Sequence, residues 1–276
     1  MTGMSEVGTD ARKSAQWVEL VALGLAAGFL SGMFGVGGGI LIVPGLLLIL
    51  KFNQKLAAGT SLAAILPLAL VGVVSYALNG NVSLTAAILV AVGSVFGARI
   101  GTRLLRKLPA KPLQIGFAVF IVVVIVSLFL VIPDRDAALD ITWLTATAMI
   151  LLGIVTGILA GLLGVGGGVI IVPALMLLFG ASDLVAKGTS LLVMIPTSLT
   201  GTLSNYRAKN VDLSAALAVG LPACVTTFVG SMVATAVSPM AANIAFAVFL
   251  TFVAVQMFWK ALRRGGAGAS GGAGRG

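Results

Sequence analysis

The chain contains no histidine, one cysteine and only eight acidic residues among its 276. Without imidazole there is no histidine proton shuttle and no histidine metal ligand. A lone Cys224 cannot close an intrachain disulfide. Charged residues make up 9% of the chain against 59% hydrophobic ones, where a soluble domain carries about 25% charge. So little polar surface cannot cover a water-soluble body, and the solvent for this chain is a bilayer. Soluble enzymes, nucleic-acid-binding modules and secreted disulfide scaffolds are excluded together. The net charge of +9 then reports loop lysines and arginines facing anionic lipid, not nucleic acid. The first sixteen residues are polar and of mixed charge, so no cleavable signal peptide is expected. Glu19 is the only acid inside an apolar run, and the other acids read as terminal or loop residues. That leaves no proton-relay chain of the kind proton-coupled carriers use. No cofactor and no metal are expected.

Apolar runs fall at about 17–34, 40–50, 57–78, 84–104, 113–132, 142–163, 169–180, 184–206, 213–236 and 241–259. Eight approach the roughly 20 residues a helix needs to cross hydrocarbon. The runs at 40–50 and 169–180 are shorter, and each carries a proline, Pro44 and Pro173. The chain also repeats itself at an offset of 129. Gly35-Val-Gly-Gly-Gly-Ile-Leu-Ile-Val-Pro44 returns as Gly164-Val-Gly-Gly-Gly-Val-Ile-Ile-Val-Pro173, identical at eight of ten positions. Gly59-Thr60-Ser61-Leu62 returns as Gly188-Thr189-Ser190-Leu191, and Pro67 returns as Pro196. One constant offset points to duplication, with a first transmembrane repeat at 1–134, a second at 135–264 and a Gly-rich tail at 265–276 expected to be disordered.

Charge decides how the halves are oriented. If each Gly-rich stretch is the turn of a helical hairpin, fifteen of the 17 lysines and arginines fall on the side of the N-terminus and only Arg135 and Lys187 on the other, which obeys the positive-inside rule. If 17–50 and 142–180 were single helices, the split would be nine against eight. The expected fold is therefore an all-α polytopic membrane protein of two inverted five-segment repeats. Each repeat begins with a hairpin whose turn is Gly-Val-Gly-Gly-Gly, and both termini are cytoplasmic. Inverted repeats with short Gly/Pro-interrupted segments at matching positions point to a transporter whose site lies near the midplane.

The candidate substrate-binding residues begin with the turns, Gly35, Gly37, Gly38 and Gly39 with Gly164, Gly166, Gly167 and Gly168. A glycine turn opening a helix presents free amides and the positive end of the helix dipole to an anion. The plain alternative is a tight turn that lets helices pack closely. Neither Gly-rich stretch is a phosphate loop, since no Gly-Lys-Ser/Thr follows, and Ile40 and Val169 break the dinucleotide pattern. Thr60, Ser61, Thr189 and Ser190 come next, as hydroxyl donors or, equally, as helix caps. Asn205 is the pocket candidate among polar residues near the ends of the same helices. Pro44, Pro67, Pro173 and Pro196 are candidate hinges, or simple kinks. Arg99 lies inside an apolar run, where snorkelling to the interface is the preferred reading. Cys224 and Met194 read as packing residues. Gly93-xxx-Gly97-xxx-Gly101 offers a packing face either within one chain or between two copies, as in a homodimer.

The doubled Gly-Val-Gly-Gly-Gly…Val-Pro motif, each copy followed by Gly-Thr-Ser, resembles the sulfite exporter TauE/SafE family over about residues 17–262. The resemblance implies a carrier of small sulfur-containing or organic anions such as sulfite, sulfoacetate or thiosulfate. Its motif maps onto Gly35 to Pro44 and Gly164 to Pro173. The partners expected are a small anionic substrate and membrane lipid. A passive anion channel and a carrier of a non-sulfur organic acid remain the alternatives. An intramembrane enzyme is disfavoured because candidates for general acid–base catalysis are lacking.

Overall fold

The computed structural model describes residues 3–109, 119, 122, 125, 126, 141–238, 240–242, 244–248, 250, 251 and 255. Its continuous elements are all helical: α1 (Gly3–Phe34), α2 (Gly39–Ile49), α3 (Gln54–Leu78), α4 (Leu84–Lys107), α5 (Trp143–Leu163), α6 (Gly168–Phe179), α7 (Asp183–Arg207) and α8 (Leu213–Ala236). Six of these are long and apolar enough to cross a membrane. The expected span at 113–132 lies largely, that at 241–259 partly, and the Gly-rich tail wholly outside the described residues.

Local chemistry sets the helix starts. Asn53, Ser83, Thr142, Ser182 and Asp212 cap α3, α4, α5, α7 and α8, each side chain accepting a backbone N–H of the first turn. The short helices differ. α2 and α6 open on Gly38 and Gly167, both left-handed, with no side-chain cap. At about 1.5 Å per residue, the eleven residues of α2 extend roughly 16 Å, about half the ~30 Å hydrocarbon core.

The duplication is visible in the element boundaries. Gln54–Leu78 and Asp183–Arg207 start and end 129 residues apart, as do Leu84–Lys107 and Leu213–Ala236. The two halves interdigitate. Gly24, Gly28 and Gly32 of α1 lie against the backbone of Val219, Ala223 and Thr227 of α8. The equivalent glycines of α5, Gly153, Gly157 and Gly161, lie against Val90, Ser94 and Ala98 of α4. Contacts advance together in both pairs, so each pair is parallel. Helices α3 and α7 run antiparallel, since Gly72 meets Leu191 while Gly201 meets Leu62. Every one of these interfaces joins the first half to the second. Small residues let the backbones approach, which is how apolar helices associate where lipid removes the hydrophobic drive.

The Gly93-xxx-Gly97-xxx-Gly101 face packs within the chain, against Ile150, Ile154 and Ile158 of α5. A side chain at Gly97 would collide with the Ile154 carbonyl. Gly97→Leu is expected to lower the unfolding temperature in detergent, an overpacking cost of about 1–3 kcal/mol. Phe96→Leu on the exposed face of the same turn is the control expected to leave it unchanged.

Candidate functional site

Each Gly-rich segment reverses the chain between a long helix and a short one through left-handed backbone. The φ angles are +69°, +73° and +66° at Gly35, Gly37 and Gly38, and +76°, +80° and +91° at Gly164, Gly166 and Gly167. Successive positive φ values are accessible to glycine and strained for other residues. Residues 35–40 and 164–169 are buried throughout. Gly35 donates its N–H to the Ser31 carbonyl at 2.8 Å, and the Gly38 carbonyl accepts from Leu41 and Ile42 at 2.9 and 3.0 Å. The second turn repeats this at Gly164 and Gly167. Among the described residues, the N–H groups of Gly37, Gly38 and Gly39 and those of Gly166, Gly167 and Gly168 donate no hydrogen bond.

The two turns meet, and each is held by the other half of the chain. Ser61 of α3 donates to the Gly164 carbonyl at 2.7 Å, and its equivalent Ser190 of α7 donates to the Gly35 carbonyl at 2.9 Å. Gly39 lies against the backbone of Gly164 and Val165, while Gly168 lies against the Gly35 carbonyl. Met194 and Ile65, equivalent positions near the middle of α7 and α3, pack on both Gly37 and Gly166. Both side chains are fully buried. Met194 is thus a packing residue, as expected, placed where the turns converge.

The other candidates lie apart. Thr60 accepts the Asp212 N–H at 3.0 Å and Thr189 accepts the Ser83 N–H at 2.9 Å, so each holds the first turn of a helix from the opposite half. Asn205 is fully buried and donates to the Gly201 carbonyl at 3.0 Å, while its Oδ1 has no partner among the described residues. It packs beside Gly59, eleven residues and about 16 Å of helix from Met194. The tyrosine at its equivalent position, Tyr76, packs beside Gly188 and donates to the Gly32 carbonyl at 2.7 Å. Pro44, Pro67, Pro173 and Pro196 all sit inside continuous helices.

Three features escaped sequence reasoning. Asp183, expected in a connecting loop, is the first residue of α7 and 1% exposed. It pairs at 3.0 Å with Lys187, whose backbone abuts Gly35. The i, i+4 spacing was the available signal. Ser31, whose buried hydroxyl has no partner among the described residues, lies one turn before Gly35. Finally, Arg99 does not snorkel alone. It shares a cavity of about 600 Å³ with Arg103, Arg106 and Arg207. Among the described residues, no group of histidine, cysteine or acidic side chains suits a metal ion.

A family model described as sulfite exporter TauE/SafE matches residues 3–128 and again 149–275. The chain is 31% identical to the probable membrane transporter protein YunE of Bacillus subtilis, covering 74% of this chain and 83% of that one. It is 30% identical to a probable membrane transporter protein of Haemophilus influenzae, covering 86% and 96%. A probable membrane transporter protein of Xylella fastidiosa is 28% identical over 87% and 94%. No solved structure matches the chain.

The reciprocal serine contacts are directly testable. Ser61→Ala and Ser190→Ala each leave a buried carbonyl unpaired, at a cost of about 1–3 kcal/mol. Both are expected to lower the unfolding temperature by similar amounts, while Ser214→Ala on the exposed face of α8 leaves it unchanged.

Proposed function

The chain belongs to the sulfite exporter TauE/SafE family, and on that premise we propose that this multi-pass membrane transporter, which is not an enzyme, carries a small sulfur-containing anion held between two inverted repeats. Sulfite, sulfoacetate and related organosulfonates are the substrate class. The observation that carries the reading is the pair of turns themselves. Two short helices start where the halves meet, neither start has a capping side chain, and among the described residues the amides of Gly37–Gly39 and Gly166–Gly168 donate no hydrogen bond. Buried backbone groups in a membrane need partners, and an anion at a helix N-terminus supplies them. It brings its own charge, so no fixed cation is required at the centre.

Inversion is supported by the antiparallel course of α3 and α7, which are equivalent helices in the duplication. Both termini then lie on the side that carries Lys55, Arg99, Arg103, Arg106 and Arg207, the cytoplasmic side by the positive-inside rule. The substrate site comprises the turn glycines with Ser61 and Ser190, whose hydroxyl hydrogens hold the opposite turn in this closed state. Thr60, Thr189 and Asn205 act one layer out, fixing the helix ends between which the turns move. Pro67 and Pro196 remove an N–H from the middle of α3 and α7 and are the hinges, and Pro44 and Pro173 do the same in α2 and α6. Met194 and Ile65 close the centre, which supports a carrier with alternating access over an open pore.

The test is flux of labelled sulfite into liposomes holding the purified chain, with sulfoacetate, thiosulfate, sulfate and a neutral solute as competitors. Saturable flux blocked by close sulfur analogues and lost in Gly37→Val is expected. Flux through Gly37→Val and Gly166→Val at the native rate overturns the site. Met194→Ala, which removes the wedge, is expected to change KM or raise leak while the protein stays folded, and unchanged kinetics would remove Met194 from the gate.

A further inference from the structure

The cavity between α4 and α7 lies apart from the turns. Arg99, Arg103 and Arg106 line it from α4 and Arg207 from the end of α7, with Thr200 and Ser204 adding hydroxyls. The described residues that line it include no carboxylate. The three α4 arginines recur at i, i+4 and i+7, so they form one stripe. The next stripe, Phe96, Ile100 and Leu104, is exposed and apolar, as a lipid-facing surface requires. Arg99 sits eight residues before Lys107, about 12 Å of helix inboard. A guanidinium at that depth is costly unless it meets water or a counter-charge.

The duplicated scaffold provides an internal control. At an offset of 129, Arg99, Arg103 and Arg106 become Phe228, Met232 and Thr235, and Arg207 corresponds to Leu78. At these four positions the equivalent helix pair, α8 with α3, carries no cation. The fold therefore does not require the arginines. Four like charges around one concavity focus a positive potential into it, and guanidinium forks match the geometry of tetrahedral oxyanions.

We propose that this cavity is a second anion site, which takes a tetrahedral oxyanion (phosphate, sulfate or sulfonate) on two or more guanidinium groups. It stands independently of what the central turns carry. The oxyanion has two sources, a soluble anion or the phosphate of an acidic lipid headgroup reaching in from the membrane. Beside the arginines Thr102 pairs with Ser204 at 2.9 Å, and further inboard Ser94 pairs with Thr197 at 2.6 Å. The same helix seam thus carries hydroxyls inward from the arginines.

The experiment measures binding rather than flux, so its result is separable from the transport reading. The full chain is placed in phosphatidylcholine nanodiscs at constant ionic strength. Inorganic sulfate and phosphate are titrated by thermal shift, and retained phosphatidylglycerol is measured by native mass spectrometry. Saturable binding is expected, weakened about tenfold or more by Arg99→Gln or Arg103→Gln, since hydrogen bonds to charged groups are the strong class. Arg207→Gln tests the second helix independently. Lys107→Gln removes one charge from the same end without touching the lining, and is expected to change affinity by a factor of about two or less. Saturation by free sulfate or phosphate assigns a soluble anion. Retention of phosphatidylglycerol, lost on Arg99→Gln and unaffected by free anions, assigns the headgroup. Both outcomes support the site. Binding that survives the arginine substitutions, an equal loss in Lys107→Gln, or no oxyanion and no acidic lipid bound to the native chain overturns it.

Discussion

The structure turns on how buried backbone is satisfied where two glycine turns meet inside a membrane protein. An irregular turn at membrane depth is tolerated only where protein, water or ligand takes its polar groups. Here Ser61 and Ser190 take one carbonyl from each turn, and each serine comes from the opposite half of the chain. Neither turn is therefore complete without the other half. The close helix pairs α1 with α8 and α4 with α5, both built on glycine approaches, bring those halves together. On the amide side no hydrogen bond is made among the described residues, and that imbalance is the ground on which an anion is proposed there.

Symmetry supplies the frame and its exceptions supply the chemistry. Ser61 and Ser190 are alike, as are Thr60 and Thr189, and their hydrogen bonds are reciprocal. Other equivalent positions have diverged. Ile65 answers Met194, Tyr76 answers Asn205, Ala58 answers Lys187, and the α4 arginines answer Phe228, Met232 and Thr235. The conserved-by-duplication residues hold turns and helix ends. The diverged ones distinguish the two faces of the molecule, with a cationic cavity at one end and the buried Asp183–Lys187 pair at the other.

Much of this was legible in the sequence because it is local or periodic. The offset of 129, the apolar runs and the Gly-rich turns are patterns along the chain, and the run at 213–236 matches α8 at both ends. What the sequence did not disclose is tertiary. A serine hydroxyl has one hydrogen, and nothing local says whether it goes to a ligand or to a carbonyl 103 residues away. Asn205 shares a helix with Ser190 and Met194, but the helix length places it a layer away from the turns. Asp183 looked like a loop acid because it stands at a boundary between polar and apolar residues. Its burial depends on α7 lying against the first turn. Arg99 reads from the sequence as a snorkelling cation, and only the adjacency of α4 and α7 adds Arg207 to the same cavity.

The most direct test of the central turns is an experimental structure of the chain with bound selenite, a heavier analogue of sulfite located by its anomalous scattering. A peak within hydrogen-bonding reach of the amides of Gly37–Gly39 or Gly166–Gly168, with Met194 displaced from between them, is the predicted result. Selenium found only among Arg99, Arg103, Arg106 and Arg207, with the turns closed and Met194 in place under saturating anion, would contradict it.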